Sequence, residues 1–598
     1  MNDETKNMVA FAVIAGLLMI LYQVFIVGPQ AKLAEAAHAR AQTAQAAQVA
    51  SGAPAGPPQP NLSRGAALAI SPRIRIDTPS LRGSLALRGA RLDDLYLKTY
   101  HESVDRHSPE VELLRPEGMA AAYFAEQGWV GANLTGVPTP RSLWTVTSGE
   151  TLSPGHPVTL SYAAGGLTFA RRIDVDAQSM FTITDTVDNA GAAPVSLAPY
   201  VSVQRQGLPE GLSKSNIVHE GAIGVLGVDS PDLRLAPYKD WKKKTEEDWE
   251  SKGGWFGITD KYWMTAFIPT QSESISAKAR VTTDQATGID IYETTYSSPG
   301  RAIAPGARVT EVSHLFAGAK TVPVLDGYGA ALGIPRFGDA VDWGFLWFLT
   351  KPIFALLEFF YSHVGNFGVA ILMLTVVIRL ITFPLANKGF EMGVKMKKIQ
   401  PELQALQKRL KDDPTAQQKE MMALYAREKV NPVTGCLPIL FQIPVFYSLT
   451  KLFTVTIEMR HAPFFGWIHD LSAPDPTTFV NLFGLIPWDP STTPLIGAIL
   501  GGFLHVGVWP LLYGMCMWLS QSMTPQTGID PTQQMILKFM PIMFTFILAQ
   551  YAVGLLIYWT WSSLITILQQ YVMMRRFKVD NPIDDFIGRF TARAGTTG

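Results

Sequence analysis

The sequence predicts an α-helical polytopic membrane protein that carries a large antiparallel β-sandwich outside the membrane. Three observations predict it. Apolar residues make up 47% of the 598 and charged residues only 17%, whereas soluble domains run nearer a quarter charged. Many of the apolar residues fall in blocks of the ~20 that a bilayer-crossing helix needs. Between the first block and the second, hydrophobic residues alternate at period two, the signature of half-buried strands. Lysine plus arginine and aspartate plus glutamate both number 50, so the formal net charge is zero. A phosphate-neutralising protein would carry an excess of positive charge, so no direct nucleic-acid readout is expected. An acidic disordered chain is excluded for the same reason. Cys436 and Cys516 stand too far apart for a CxxC pair or a disulfide framework.

Residues 1–7 form a short N-terminus, and 8–27 (MVAFAVIAGLLMILYQVFIV) carry no charge and read as a first transmembrane anchor. A cleaved signal peptide is the rival reading, because Ala34-Glu35-Ala36 and Ala37-His38-Ala39 resemble cleavage sites. Against it, the run is longer than a signal core and only Lys6 supplies a basic flank. Residues 28–66 are Ala/Gln-rich, then Pro/Gly-rich, and read as a linker. In 67–326 the pairs Leu85/Leu87, Ile173/Val175, Phe181/Ile183 and Val201/Val203 alternate, with turn signals at Asp188-Asn189 and Pro299-Gly300. A single β-sandwich follows, large enough to bury a core without disulfides.

Residues 337–364 hold nine aromatics interrupted by Asp339, Asp342, Lys351 and Glu358. They suit an amphipathic helix in the membrane interface, the alternative being an extended start to the next span. Five further spans follow within 366–574: 366–386, 433–455, one that starts between 494 and 505 and ends near 523, 535–552 and 553–574. The total is six spans. The loop 387–431 holds ten lysines and arginines, 456–493 holds only Arg460, and the tail 575–598 holds five. The positive-inside rule therefore places the loop, the tail and both termini in the cytoplasm, with the β domain outside. Ile399, Leu403, Leu406 and Leu410 recur at helical spacing, and Asp413-Pro414 supplies an N-cap and first-turn proline for a second helix. The loop reads as a two-helix hairpin, or more simply as a solvated charged linker.

Enzyme signatures (GxxxxGK[ST], GxGxxG, HExxH, CxxC) are missing, so neither catalysis nor a cofactor is expected. His101, His107, Asp174 and Asp176 read as ordinary surface or strand residues. The strongest functional signal is Arg379, about seven residues or ~10 Å inside the second span. A charge there faces a partner or water, or snorkels to the headgroups. No acidic residue occurs in any proposed span, which favours a hydrophilic cavity open to cytoplasm and lipid. Thr375, Gln442, Gln521, Gln550, Tyr558 and Trp559 are candidates to line it, each with the alternative of bonding neighbouring helices or anchoring at the interface. A methionine cluster in the fourth and fifth spans suits varied apolar partners or gap-filling.

At these residues a resemblance emerges. NPVTGCLPILFQIPVFYSL (431–449), KEMMALYAREKV before it, APFFGWIHDLSAPDP and the closing DPTQQMILKFMPIMFTFILAQYAVGLLIYWTWSSLITILQQYVMMRR resemble the YidC family of membrane-protein insertases. GGWFGITDKYWMTAFIP (253–269) resembles part of that family's periplasmic domain. The resemblance implies six spans with a five-helix insertase core and a periplasmic β-supersandwich in the bacterial inner membrane. It implies a groove in which Arg379 is the charged residue, with Thr375, Tyr558 and Trp559 beside it. As partners it implies nascent membrane proteins and the Sec translocon within the lipid bilayer. It also implies a ribosome or targeting receptor at the hairpin and tail. The tail's five basic and three acidic residues are a modest balance for direct ribosome binding. Two readings from other classes are a solute transporter, for which no internal repeat is found, and a sugar-binding β domain, which rests on fold analogy alone.

Overall fold

The computed structural model describes residues 62–584 apart from 106, 132–135, 210, 213–217, 286, 411–412, 431, 487, 489, 491–492, 494–496, 503 and 524–530. The first anchor (8–27), nearly all of the linker 28–66, part of the stretch in which the fourth span was expected to start and the tail beyond 584 lie outside the described residues.

Period-two patterning builds two sheets of eleven and nine strands. In Met180–Asn189 and Leu167–Val175 alternate residues point into the core, and the two strands pair antiparallel with Ile183 opposite Ile173. Met180–Asn189 pairs on its other edge with Arg308–Ala319, which in turn pairs with Trp263–Pro269. The second sheet runs through Val195–Gln206, flanked by Tyr123–Val130 and Asp290–Ser297. The pairing is antiparallel throughout except for a two-residue parallel contact between Arg73–Asp77 and Thr151–Leu152. The eight alternating residues singled out in the sequence are all buried. A short helix, Arg64–Ala69, precedes the first strand, so ordered structure begins inside the expected linker.

The domain closes on α1 (Val322–Leu332) and a 3-10 turn, Phe337–Ala340. Phe337, Ala340, Val341 and Trp343 are buried, with the Trp343 indole donating to Gly338 O at 3.0 Å. The helix expected over 337–364 therefore occupies only α2 (Trp347–Val364); residues 337–343 before it are a largely buried connector. Gly365, at φ 66°, ends α2, and Asn366 at once caps α3 (Phe367–Arg409) by accepting from Val369 N at 3.1 Å.

The membrane core comprises α3, α5 (Pro432–Val455), α6 (Val508–Met523), α7 (Pro531–Leu548) and α8 (Val553–Arg576), with the hairpin helix α4 (Pro414–Arg427) between α3 and α5. Helix α3 runs unbroken for 43 residues through Pro384 and Pro401, where the sequence suggested a span followed by a separate hairpin helix. Asp413 caps α4 by accepting from Thr415 N and Ala416 N at 3.1 and 3.0 Å. Arg409–Glu420 and Arg427–Glu402 ion pairs tie the hairpin together. The regular part of the fourth span starts only at Val508, later than expected, and is preceded by the short helix Gly497–Leu500. Among the described residues, α3 is the helix long and apolar enough by itself to cross a membrane, and Met535–Leu548 is a shorter apolar helix.

Domain and core are joined by specific contacts. Lys451 of α5 pairs with Asp342 at 2.5 Å. Glu458 accepts the Val322 N–H at 2.9 Å and so caps α1 from the core side. Arg460 donates to His101 O at 2.6 Å and lies over the Trp263 ring.

Candidate functional site

Helices α3, α5 and α8 enclose the site. Arg379 projects from α3 and is only partly exposed. Its Nε donates to Ser562 Oγ of α8 at 2.7 Å, and Nη2 donates to the same oxygen. Among the described residues no carboxylate lies within ion-pair distance of it. Four residues before Ser562, and so on the same face of α8, Tyr558 is fully buried and its hydroxyl accepts from Gln442 Nε2 of α5 at 3.3 Å. Trp559 is nearly buried and stacks on Phe446 with ring centres 4.9 Å apart and planes 5° apart. Tyr513 of α6 and Tyr551 approach its other sides at 5.7 and 6.1 Å. The result is a polar line, Gln442–Tyr558 and Arg379–Ser562, backed by an aromatic wall.

A cleft lies beside Arg379, lined by Ile378, Thr382, Leu385, Phe441, Gln442 and Val445, with a volume of about 20 Å³. That holds about one water molecule. The sequence suggests a hydrophilic cavity open to cytoplasm and lipid; beside Arg379 the structure has this narrow slot. The guanidinium satisfies two donors on a neutral oxygen, and no fixed anion is there to cancel its charge. Such a group attracts an incoming carboxylate or other acceptor far better than an ion-paired arginine does.

Not every residue expected at the site reaches it. Thr375 is fully buried one turn before Arg379, and its hydroxyl donates to Ile371 O at 2.7 Å within its own helix. Gln521 donates to Leu537 O at 2.6 Å and ties α6 to α7. Gln550 sits at the turn between α7 and α8, on a separate cleft of about 690 Å³ with Thr478, Asn481 and His505. Gln442, Tyr558 and Trp559 do gather near Arg379. Ser562 and Phe446 went unnoticed in the sequence. The spacing Tyr558, Ser562 was the available signal, since it places two hydroxyls on one stripe of an apolar helix.

Comparison with known proteins bears on the whole chain. The family described as "60Kd inner membrane protein" matches residues 359–581, and "YidC periplasmic domain" matches residues 73–356. A protein of Caulobacter vibrioides (strain NA1000 / CB15N) named "Membrane protein insertase YidC" is 54% identical over 100% of both chains. One of the same name from Caulobacter sp. (strain K31) is 54% identical over 99% of each chain. A crystal structure titled "Active YidC insertase crystal structure with the first transmembrane domain resolved" is 17% identical, covering 83% of this chain and 92% of its own, with a TM-score of 0.35.

Proposed function

The chain belongs to the YidC family of membrane protein insertases, and on that premise we propose that it inserts nascent membrane proteins into the bacterial inner membrane through the slot at Arg379. The observation that carries the reading is the partly buried Arg379 guanidinium, held among the described residues by the neutral Ser562 oxygen. A nascent chain presents a short hydrophilic tail to the slot. Arg379 draws in its carboxylates, which shift the guanidinium off Ser562. The following apolar helix leaves sideways into lipid. Its burial, at about 0.8 kcal/mol per CH₂, drives the step without ATP. The membrane potential assists an acidic tail moving outward by about 2.3 kcal/mol per charge per 100 mV. No covalent chemistry and no cofactor take part. The slot widens to pass a polypeptide, and the rigid aromatic wall at Trp559 gives the widened groove its fixed side.

The topology has six spans, with both termini inside and the β-sandwich in the periplasm. The sandwich docks on the core at Glu458, Arg460 and Lys451. The partners are the Sec translocon and a ribosome or targeting receptor at the basic hairpin and tail. The test is insertion by Arg379→Ala in reconstituted vesicles, with substrates that differ only in the charge of the translocated tail. Loss confined to acidic tails supports the role; equal insertion of both tails by variant and parent removes it. Solute flux without peptide insertion would favour the transporter instead.

A further inference from the structure

The loop between α5 and α6 carries an uncharged run, 476–488, at the outer end of α6. It is fastened there firmly. The buried carboxylate of Asp475 accepts Trp509 N at 2.9 Å, Thr477 Oγ1 accepts Val508 N at 3.1 Å, and Phe479 N donates to Val506 O at 3.0 Å. From this base Phe479, Leu482, Phe483 and Leu485 face outward, Leu485 with 83% of its surface exposed. Leu482 and Phe483 adopt left-handed φ of 52° and 59°, unusual for bulky side chains, and so hold the turn that splays these groups.

Such a surface belongs in lipid only if its backbone is satisfied. The backbone N–H groups of Phe483, Leu485, Ile486 and Trp488 bond to carbonyls within the loop at 2.7–3.3 Å. Val480 N bonds to Thr478 Oγ1 and Gly484 N to Asn481 Oδ1, while Asn481 Nδ2 donates to Trp488 O at 3.0 Å. On the opposite side Thr478, Asn481, His505 and Gln550 line the 690 Å³ cleft together with Ile486 and Trp488. The loop therefore has one wholly apolar face and one mixed face, as an interfacial element does. Exposed Leu511, Leu512, Met515 and Trp518 continue the loop's apolar surface down α6.

We propose that the apolar turn of residues 479–485 is a wedge seated in the outer-leaflet lipid interface, continuing the lipid-facing surface of α6. The occupant of the exposed face is lipid acyl chain just below the headgroups. The proposal rests on the membrane orientation proposed above and not on the insertase activity.

The test uses the full chain in phospholipid vesicles, with Cys436→Ser and Cys516→Ser, and Leu485→Cys carrying a nitrobenzoxadiazole label. Spin-labelled phospholipids quench from shallow or deep acyl positions. The expected result is blue-shifted emission and about twofold stronger quenching by the shallow probe, matching a depth of ~5–10 Å, with no lipid quenching from the same label at Ser148→Cys in the β domain. Water-like emission without lipid quenching overturns the proposal. So does stronger quenching from the deep probe. A blue shift without lipid quenching means that protein covers the face and overturns it too. If Leu485→Cys fails to reconstitute, Phe483→Cys on the same turn is read by the same criteria.

Discussion

Two arginines, one in each half of the molecule, show how differently the halves are built. In the sandwich, Arg171 is 1% exposed, and its Nε and Nη2 meet both oxygens of Asp185 at 2.7 Å. The same carboxylate accepts from Gln127 Nε2 and Trp129 Nε1, and Trp144 lies against the guanidinium. Every charge there is cancelled and every oxygen used, so nothing is left to offer a ligand. In the core, Arg379 has, among the described residues, a single hydroxyl oxygen as partner. The first arrangement completes a structure; the second leaves charge in reserve for something that arrives. A buried arginine by itself therefore says little about function. What it is paired with decides.

The sharpest way to break the comparison is Asp185→Ala, which strands Arg171 in the sandwich core. A loss of about 3–5 kcal/mol is expected for a buried charge left unpaired, read as a lower denaturant midpoint of the purified full chain. A change under about 1 kcal/mol would mean that the pair is not structural. Arg379→Ala should behave in the opposite way. Removing a charge-assisted interaction of about 1.5–3 kcal/mol lowers insertion of an acidic-tailed substrate roughly tenfold to a hundredfold. The melting temperature should hold or rise, because a charge without a counter-ion has been removed from an apolar region.

A third site in the sandwich sharpens the contrast through pH. Arg301 bridges two carboxylates, Glu273 and Glu311. Burial, then the neighbouring Glu273, pushes the Glu311 carboxyl up to about 8 from 4.5. The folded protein thus holds a proton that the unfolded chain releases between these values, and stability should fall as pH rises from about 4.5 to 8. Glu311→Gln should flatten that fall by about 1–2 kcal/mol, seen in melting temperatures at pH 5 and 8.5; parallel curves for variant and parent would refute it. The smallest effect is Ser562→Ala. It frees Arg379 from its one neutral partner, costs about 1 kcal/mol or less in stability, and should leave acidic-tail insertion equal or faster. Slower insertion would instead make Ser562 part of the substrate contact.

The β-sandwich was legible because each strand has one face turned to a core, so period-two burial is written directly into Leu167–Val175 and Met180–Asn189. The cap at Asp413 was legible because it needs only four consecutive residues. Helix α3 was misread as two pieces. Pro384 and the charges from Lys388 onward look like a boundary, yet nothing in the local chain forces a break, and packing against α5 and α8 carries the helix through. At the site, Arg379, Gln442, Tyr558 and Trp559 stood out as polar or aromatic residues in apolar surroundings. Ser562 did not, because a hydroxyl on an apolar helix means little until its partner is known.

By itself the sequence determined the class of each segment, the asymmetry of positive charge between loops and the presence of one uncompensated arginine among the proposed spans. These depend on composition and on period along a single axis. Only the tertiary structure decided which face of each helix meets its neighbour. That rotation seated Arg379 on Ser562 beside a slot of about 20 Å³ and sent Gln521 and Gln550 to other contacts. Period fixes where a side chain points relative to its own helix; close packing between helices decides what it touches.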